Sequence, residues 1–187
     1  MKTTLGAALE VLVLSAAAAS ADWARWPEPA RQAAREMVEE YGAPDRVFSD
    51  RLEWGPRGSW RSLTVHLAED FPRRSGVLEQ SVAFDVPPSR WGELAALGFG
   101  VSYDPAKREL TASAESQAIN RLALNVAVDV VRERRTAMNA RDFYRRTLDL
   151  QLSGKSSRYT RDLLFEPAPE PFPPIPPARF WRPPLRP

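Results

Sequence analysis

The stretch WRSLTVHL, residues 60–67, alternates polar and apolar side chains, and LEQSVAFDV, residues 78–86, follows a similar pattern. In the first stretch Leu63, Val65 and Leu67 point to one side, and the residues between them point to the other. A period of two with one apolar face is typical of half-buried antiparallel strands. The two stretches therefore predict a hairpin, which ends at Pro87.

A second hairpin is predicted over residues 99–112. It turns at residues 104–107, where Asp104 is followed by Pro105 in the composition of a β-turn. A small sheet with one apolar face must bury that face against another layer of the fold, such as helices.

Helical patterns surround both hairpins. An apolar stripe at helical spacing starts at Ala30 and stops before Gly42, and Ser89 predicts a short helix up to residue 97. Two longer helices are predicted over residues 114–135 and 137–152, the second with Thr136 as its N-cap. The sequence therefore favours an α+β fold: a small antiparallel sheet of two hairpins, packed by a central C-terminal helix pair and an N-terminal helix.

The first 21 residues have the features of an export signal. Lys2 supplies a positive charge, residues 5–19 are mostly apolar, and Ala19-Ser20-Ala21 forms a small-x-small cleavage site. The apolar run is shorter than the ~20 residues that a membrane-spanning helix needs. We therefore expect removal of residues 1–21, a periplasmic or extracellular location, and no transmembrane segment in the mature chain.

The composition changes at Glu166. From there to the end of the chain, ten of 22 residues are proline. Proline at this density supports neither a helix nor a central strand, so residues 166–187 are predicted to be a disordered tail with polyproline II character. The tail is a candidate for binding a protein or an envelope polymer, and residues 22–165 are predicted to form a single domain.

The overall composition excludes several classes of protein. The chain has no cysteine, so an exported domain must depend on its core rather than on disulfides. A formal net charge of +2 gives no reason to expect a nucleic-acid partner. With a single histidine and no cysteine, the usual zinc sites are excluded, and we expect neither a metal nor a cofactor.

His66 is the only histidine, so any acid–base scheme built on imidazole must use it. A symmetric first hairpin places His66 opposite Glu79, and Thr64 opposite Ser81, on one face of the sheet. This arrangement makes His66, Glu79 and Ser81 the candidates for a hydrolase that acts on an envelope polymer or ester. The alternative is a solvated sheet face with cross-strand polar pairs.

Asn120 is a polar residue in the middle of the apolar arc of the long helix. An unpaired buried amide costs about 1–3 kcal/mol, so Asn120 needs partners. We expect it to tether a neighbouring loop or strand through backbone hydrogen bonds, and the alternative is that it lines a ligand pocket.

Six tryptophans are many for a chain of 187 residues. Exported carbohydrate-binding modules use exposed tryptophans as platforms for sugars, although most tryptophans belong to the core or its edge.

Several short motifs resemble an uncharacterised family of exported bacterial proteins of unknown function. The motifs are Tyr41-Gly42-Ala43-Pro44-Asp45, Trp54-Gly55-Pro56, Phe71-Pro72, Leu78-Glu79-Gln80, Val86-Pro87 and the helix from Asn120 to Asp129 leading into Ala140-Arg141. The resemblance implies a single exported domain. Proteins of that family carry a histidine and an aspartate after the Phe-Pro pair, but Arg73-Arg74-Ser75-Gly76 stands here.

No motif in the sequence is specific enough to assign a reaction. The sequence therefore predicts a non-enzymatic envelope or secreted module whose proline-rich tail makes interactions. The alternatives are the envelope hydrolase through His66 and Glu79 and the carbohydrate-binding module through exposed tryptophans.

Overall fold

The structure is a computed structural model that describes residues 23–67 and 76–168. The predicted export signal and residues 169–187 of the predicted tail lie outside the described residues. The same holds for residues 68–75, between the strands of the first hairpin.

Within the described residues, a six-stranded antiparallel sheet and five α-helices confirm the α+β fold. The strands are β1 (Arg46–Val47), β2 (Arg51–Trp54), β3 (Ser62–His66), β4 (Leu78–Ala83), β5 (Val101–Asp104) and β6 (Glu109–Ala114). They lie in the order β1-β2-β3-β4-β6-β5, so β5 is an edge strand. The helices are α1 (Glu28–Tyr41), α2 (Trp91–Ala95), α3 (Gln117–Val131), α4 (Ala137–Leu152) and α5 (Arg158–Arg161), and a 3₁₀ turn, Pro88–Arg90, precedes α2.

The sheet is larger than the two predicted hairpins, because β1 and β2 were not predicted. Strand β2 has only four residues and β1 only two, too few for a period of two to stand out. Both hairpins that the sequence predicted are present, and they are joined through a β4–β6 pairing.

The register of the first hairpin differs from the prediction by two residues. Thr64 pairs with Glu79, Ser62 pairs with Ser81, and the backbone N–H of His66 donates to Val77 O at 2.8 Å. A shift of two residues keeps every side chain on its own face, so the hydrophobic pattern cannot distinguish the two registers.

Helix α3 is the centre of the fold. Twelve of its 15 residues are buried, and it packs on the apolar face of the sheet together with α1. The ends of the other helices follow their local sequence. Gly42 ends α1 with a positive φ of 79°, and the Thr136 side chain caps α4 by accepting from Asn139 N, as predicted. Ser89 does not cap α2; it lies in the preceding 3₁₀ turn, which makes no side-chain cap.

None of the helices in residues 23–67 and 76–168 has the length and apolar character needed to cross a membrane.

Candidate functional site

The candidate hydrolase residues lie on the polar face of the sheet. Glu79 pairs with Thr64 on one side and with Ser113 on the other. Ser81 is buried, and its hydroxyl lies 2.7 Å from the Ser62 hydroxyl. Because Ser62 is four residues along β3 from His66, the Ser81 hydroxyl is separated from the imidazole by roughly 13 Å of strand.

Asn120 lies on the other face of the sheet, away from His66 and Glu79. It is fully buried, and its Nδ2 donates to Leu78 O at 2.9 Å and to Gln80 Oε1 at 3.0 Å. Asn120 thus tethers α3 to β4 through a backbone carbonyl, as we expected. The sheet separates Asn120 from the hydrolase candidates, so they do not form one pocket.

A buried chain of polar side chains runs from Asn120 towards the surface. Gln80 Nε2 donates to Gln117 Oε1 at 2.7 Å, and Gln117 Nε2 donates to Glu40 Oε2. The Tyr41 hydroxyl lies 2.7 Å from Gln117 Oε1. Sequence reasoning missed this chain, although Gln80 was a signal for it. It is a polar residue at an inward position of an alternating strand.

Tyr41 sits where this chain reaches the surface. Its hydroxyl accepts from Trp60 Nε1 at 2.9 Å and lies 2.8 Å from Glu40 Oε1. Burial of the ring and the nearby Glu40 carboxylate raise the pKa of Tyr41 to about 12. The phenol therefore stays protonated at neutral pH and serves as a fixed hydrogen-bonding group rather than as an acid or a base.

The chain opens into a polar groove of about 460 Å³. Glu40 and Arg121 form an ion pair at 3.1 Å on one wall, and Arg57 pairs with Asp45 at 2.6 Å nearby. Charges of both signs line the groove, so it has no strong preference for an anion or a cation. The lining residues are Glu40, Tyr41, Arg57, Gly58, Ser59, Trp60, Arg121, Arg161, Asp162, Leu163, Phe165, Glu166 and Pro167.

One wall of the polar groove is the anchor segment, residues 159–168. Asn125 Nδ2 donates to Tyr159 O at 3.0 Å and to Asp162 O at 2.7 Å, and Asn125 Oδ1 accepts from Leu164 N at 2.7 Å. Asp129 Oδ2 accepts from the Tyr159 hydroxyl at 2.7 Å. Asn125 and Asp129 of α3 are therefore buried, because the anchor segment covers them.

The anchor segment ends in contacts with β4 and the residue that follows it. Phe165 packs edge-to-face on Phe84 with ring centroids 5.2 Å apart, and Arg132 stacks over Phe84 with its guanidinium carbon 5.7 Å from the ring centroid. Beyond Phe165, the backbone N–H of Ala168 donates to Ala83 O at 2.8 Å. Contact with the domain thus continues three residues past the predicted boundary at residue 165.

A second concavity, the aromatic groove, lies at the edge strand β5. It has a volume of about 380 Å³ and is lined by Trp91, Leu94, Ala95, Val101, Ser102, Tyr103 and Pro105. The rings of Trp91 and Tyr103 are 6.2 Å apart and inclined by 48°. Trp91 is 41% exposed, whereas Trp26, Trp54 and Trp60 are buried. Trp91 is thus the most exposed of these four tryptophans.

Within the described residues, no group of three or more histidine, cysteine, aspartate or glutamate side chains is placed to hold a metal ion. Asp45 instead closes a loop. Its carboxylate accepts from Gly55 N at 2.6 Å, and this hydrogen bond, together with one from Arg57, lowers the pKa of Asp45.

Comparison with protein-family models, with curated proteins and with solved structures found no match. The resemblance to a family of exported bacterial proteins therefore stays a prediction.

Proposed function

We propose that this chain is an exported, non-enzymatic binding module that presents its proline-rich tail to a partner in the cell envelope. The observation that supports the proposal most is the attachment of residues 165–168 to the domain. The Phe165–Phe84 contact and the Ala168–Ala83 hydrogen bond give the tail a fixed point of departure.

A fixed departure point makes a proline-rich segment a better ligand. A polyproline II chain loses little conformational entropy on binding, because proline already restricts its backbone. Attachment at one end also raises the effective concentration of the tail at any site that the domain itself contacts.

A photo-crosslinking amino acid at Phe180 tests the role of the tail in cells that express the protein natively. We expect adducts that are absent when the same group replaces Met138, which is 70% exposed on α4 and serves as the control. Identical adducts from both positions, or none from Phe180, would contradict the proposal.

Export has its own test. We expect the N-terminus of the native protein to be Asp22, located outside the cytoplasm. Native protein that still begins at Met1 would show that residues 1–21 are not a cleaved signal.

The aromatic groove favours a second candidate function, carbohydrate binding. An exposed indole beside a tyrosine ring is a surface on which sugar rings stack. Binding of envelope oligosaccharides would then shift the indole N–H NMR signal of Trp91 but not that of the buried Trp54. No response across a broad panel of glycans would exclude this function.

A further inference from the structure

We propose that the aromatic groove binds the proline-rich tail of its own chain, with residues 171–177 as the segment in contact. The proposal rests on the proposed function, because it assumes that the tail is a polyproline II ligand. The proposal adds a site on the domain, the aromatic groove, that holds the tail until an envelope partner binds it.

The two aromatic rings of the groove, Trp91 and Tyr103, are each fixed by a hydrogen bond to the backbone of the domain. Trp91 Nε1 donates to Val86 O at 2.9 Å, and the Tyr103 hydroxyl accepts from Val86 N at 3.3 Å. Both bonds go to the same backbone residue, so the two rings keep their relative position. Leu94 and Val101 complete an apolar floor between them.

This surface matches the chemistry of a proline-rich ligand. Proline segments in polyproline II conformation dock into grooves lined by aromatic side chains, where the flat pyrrolidine rings pack on the aromatic faces. Residues 171–177, PFPPIPP, contain three overlapping P-x-x-P spacings. The repeated spacing offers the same face of the ligand at successive turns of three residues.

The length of the tail and its point of departure allow the contact within one chain. Ala83, which holds Ala168, pairs with Glu109, and Glu109 pairs with Asp104 at the end of β5. Two strand spacings, about 10 Å, therefore separate Ala83 from β5. At about 3.1 Å per residue in polyproline II, Pro171 can lie up to about 9 Å and Pro177 up to about 28 Å from Ala168, so the segment is long enough to extend past β6 to the groove at β5.

Charge contributes little to the proposed contact. Residues 171–177 carry no charged side chain. The two carboxylates beside the groove have partners in the domain: Asp104 Oδ1 accepts from Ala106 N at 2.9 Å, and Glu93 pairs with Arg90 at 2.8 Å. The contact therefore rests on apolar packing of proline on the aromatic rings.

The test compares the chain from Asp22 to Pro187 with a variant in which the five prolines of residues 171–177 are alanine. We follow the indole N–H signals by NMR and assign the Trp91 signal with Trp91→Phe. We expect the Trp91 signal to shift in the alanine variant, and its protection from a soluble quencher to fall at least twofold. The Trp23 signal, from the other end of the chain, is the control.

A second variant changes the groove and leaves the tail unchanged. Ala95 is exposed at the rim, and Ala95→Arg places a long side chain in the groove. We expect it to reproduce the Trp91 signal of the alanine variant while the unfolding temperature stays the same. A Trp91 signal that neither variant changes would overturn the proposal.

The last arm adds the free peptide of residues 169–187 to the alanine variant. We expect saturable recovery of the original Trp91 signal, and at least tenfold weaker binding when Ala95→Arg is also present. Recovery by an envelope oligosaccharide but not by the peptide would overturn the proposal and assign the groove to sugars. If the two variants and the added peptide leave the Trp91 signal unchanged while the Phe180 adducts persist, this inference is wrong and the proposed function still stands.

Discussion

At the scale of single residues, Asn120 joins two layers of the fold with one amide. Its Nδ2 satisfies both the backbone of β4 at Leu78 and the side chain of Gln80. These two hydrogen bonds restrict how α3 sits on the sheet, whereas Asn120 Oδ1 is buried without a hydrogen-bond partner among the described residues.

Replacement Asn120→Leu should lower the free energy of unfolding by about 1–3 kcal/mol, because Leu78 O and Gln80 Oε1 lose a buried donor. Denaturant unfolding measures the change. Asn139→Leu on the exposed surface of α4 is the matched control and should have little effect. Equal stabilities of the two variants would contradict the tether.

Tyr41 should make stability depend on alkaline pH. Its folded pKa of about 12 lies above the ordinary tyrosine pKa of 10.0, so the folded state holds the phenol proton more tightly than the unfolded state. This contribution is fully present below pH 10 and is lost as the pH rises towards 12. Tyr41→Phe should flatten the decline in stability over that window.

Absorbance of tyrosinate measures the same property directly, as a titration near pH 12 that Tyr41→Phe removes. Burial also raises the pKa of Tyr144, so Tyr144→Phe is the companion variant that separates the two groups. Full ionisation of Tyr41 by pH 10 in the folded protein would contradict its position in the polar chain.

The sequence predicts some of these residues and not others. Asn120 stands out because a polar residue interrupts an apolar arc. Gln117, Tyr41 and Trp60 become one hydrogen-bonded group only when α1, α3 and the residues before β3 come together, and no local pattern encodes that meeting. His66 and Glu79 share a face as predicted, but their pairing depends on a register that the pattern leaves open.

At the scale of elements, the first hairpin depends on a close approach at Gly76. A Cβ built there lies 2.1 Å from the backbone of Ala114, at the end of β6. Ser113 Oγ also donates to Gly76 O at 3.1 Å, so the two backbones are held together at this point.

Gly76→Ala should therefore destabilise the protein by about 1–3 kcal/mol, because backbone atoms cannot move aside as a flexible side chain would. Gly92→Ala is the matched control. Nothing lies within 4 Å of a Cβ at Gly92, and α2 gains a better helix former there, with an expected gain of about 0.5–1 kcal/mol. If Gly76→Ala were as stable as Gly92→Ala, the close approach would be wrong.

Elements with long periodic patterns were predictable, and short ones were not. The sequence predicts α1, α3, α4 and both hairpins because each buries a regular stripe or face. The sequence did not predict that the anchor segment covers Asn125 and Asp129. The segment binds Asn125 through backbone groups, which every residue has and which therefore leave no pattern in the sequence.

At the scale of the whole molecule, contacts with the domain extend along the chain to Ala168, the last described residue of the C-terminal region. The anchor segment is part of the domain because it satisfies Asn125 and Asp129 and covers Phe84. Residues 169–187 follow it as the proposed ligand. The proline composition predicts the tail, but the attachment through Phe165 and Ala168 becomes visible only in the folded chain.

Phe165→Ala in the full chain should cost roughly 3 kcal/mol of stability, since Phe165 is only 7% exposed. Phe172→Ala, within the tail, is the matched control and should change the unfolding midpoint much less. Equal effects of the two substitutions would place Phe165 outside the folded unit.

The most direct test of the account is the thermal unfolding of two shortened chains, one ending at Ala168 and one ending at Leu164. The chain ending at Ala168 should unfold close to the temperature of the full chain. The second, which lacks both the Phe84 contact and the Ala83 hydrogen bond, should unfold at a clearly lower temperature. Identical midpoints for the two shortened chains would contradict the claim that residues 165–168 anchor the tail to the domain.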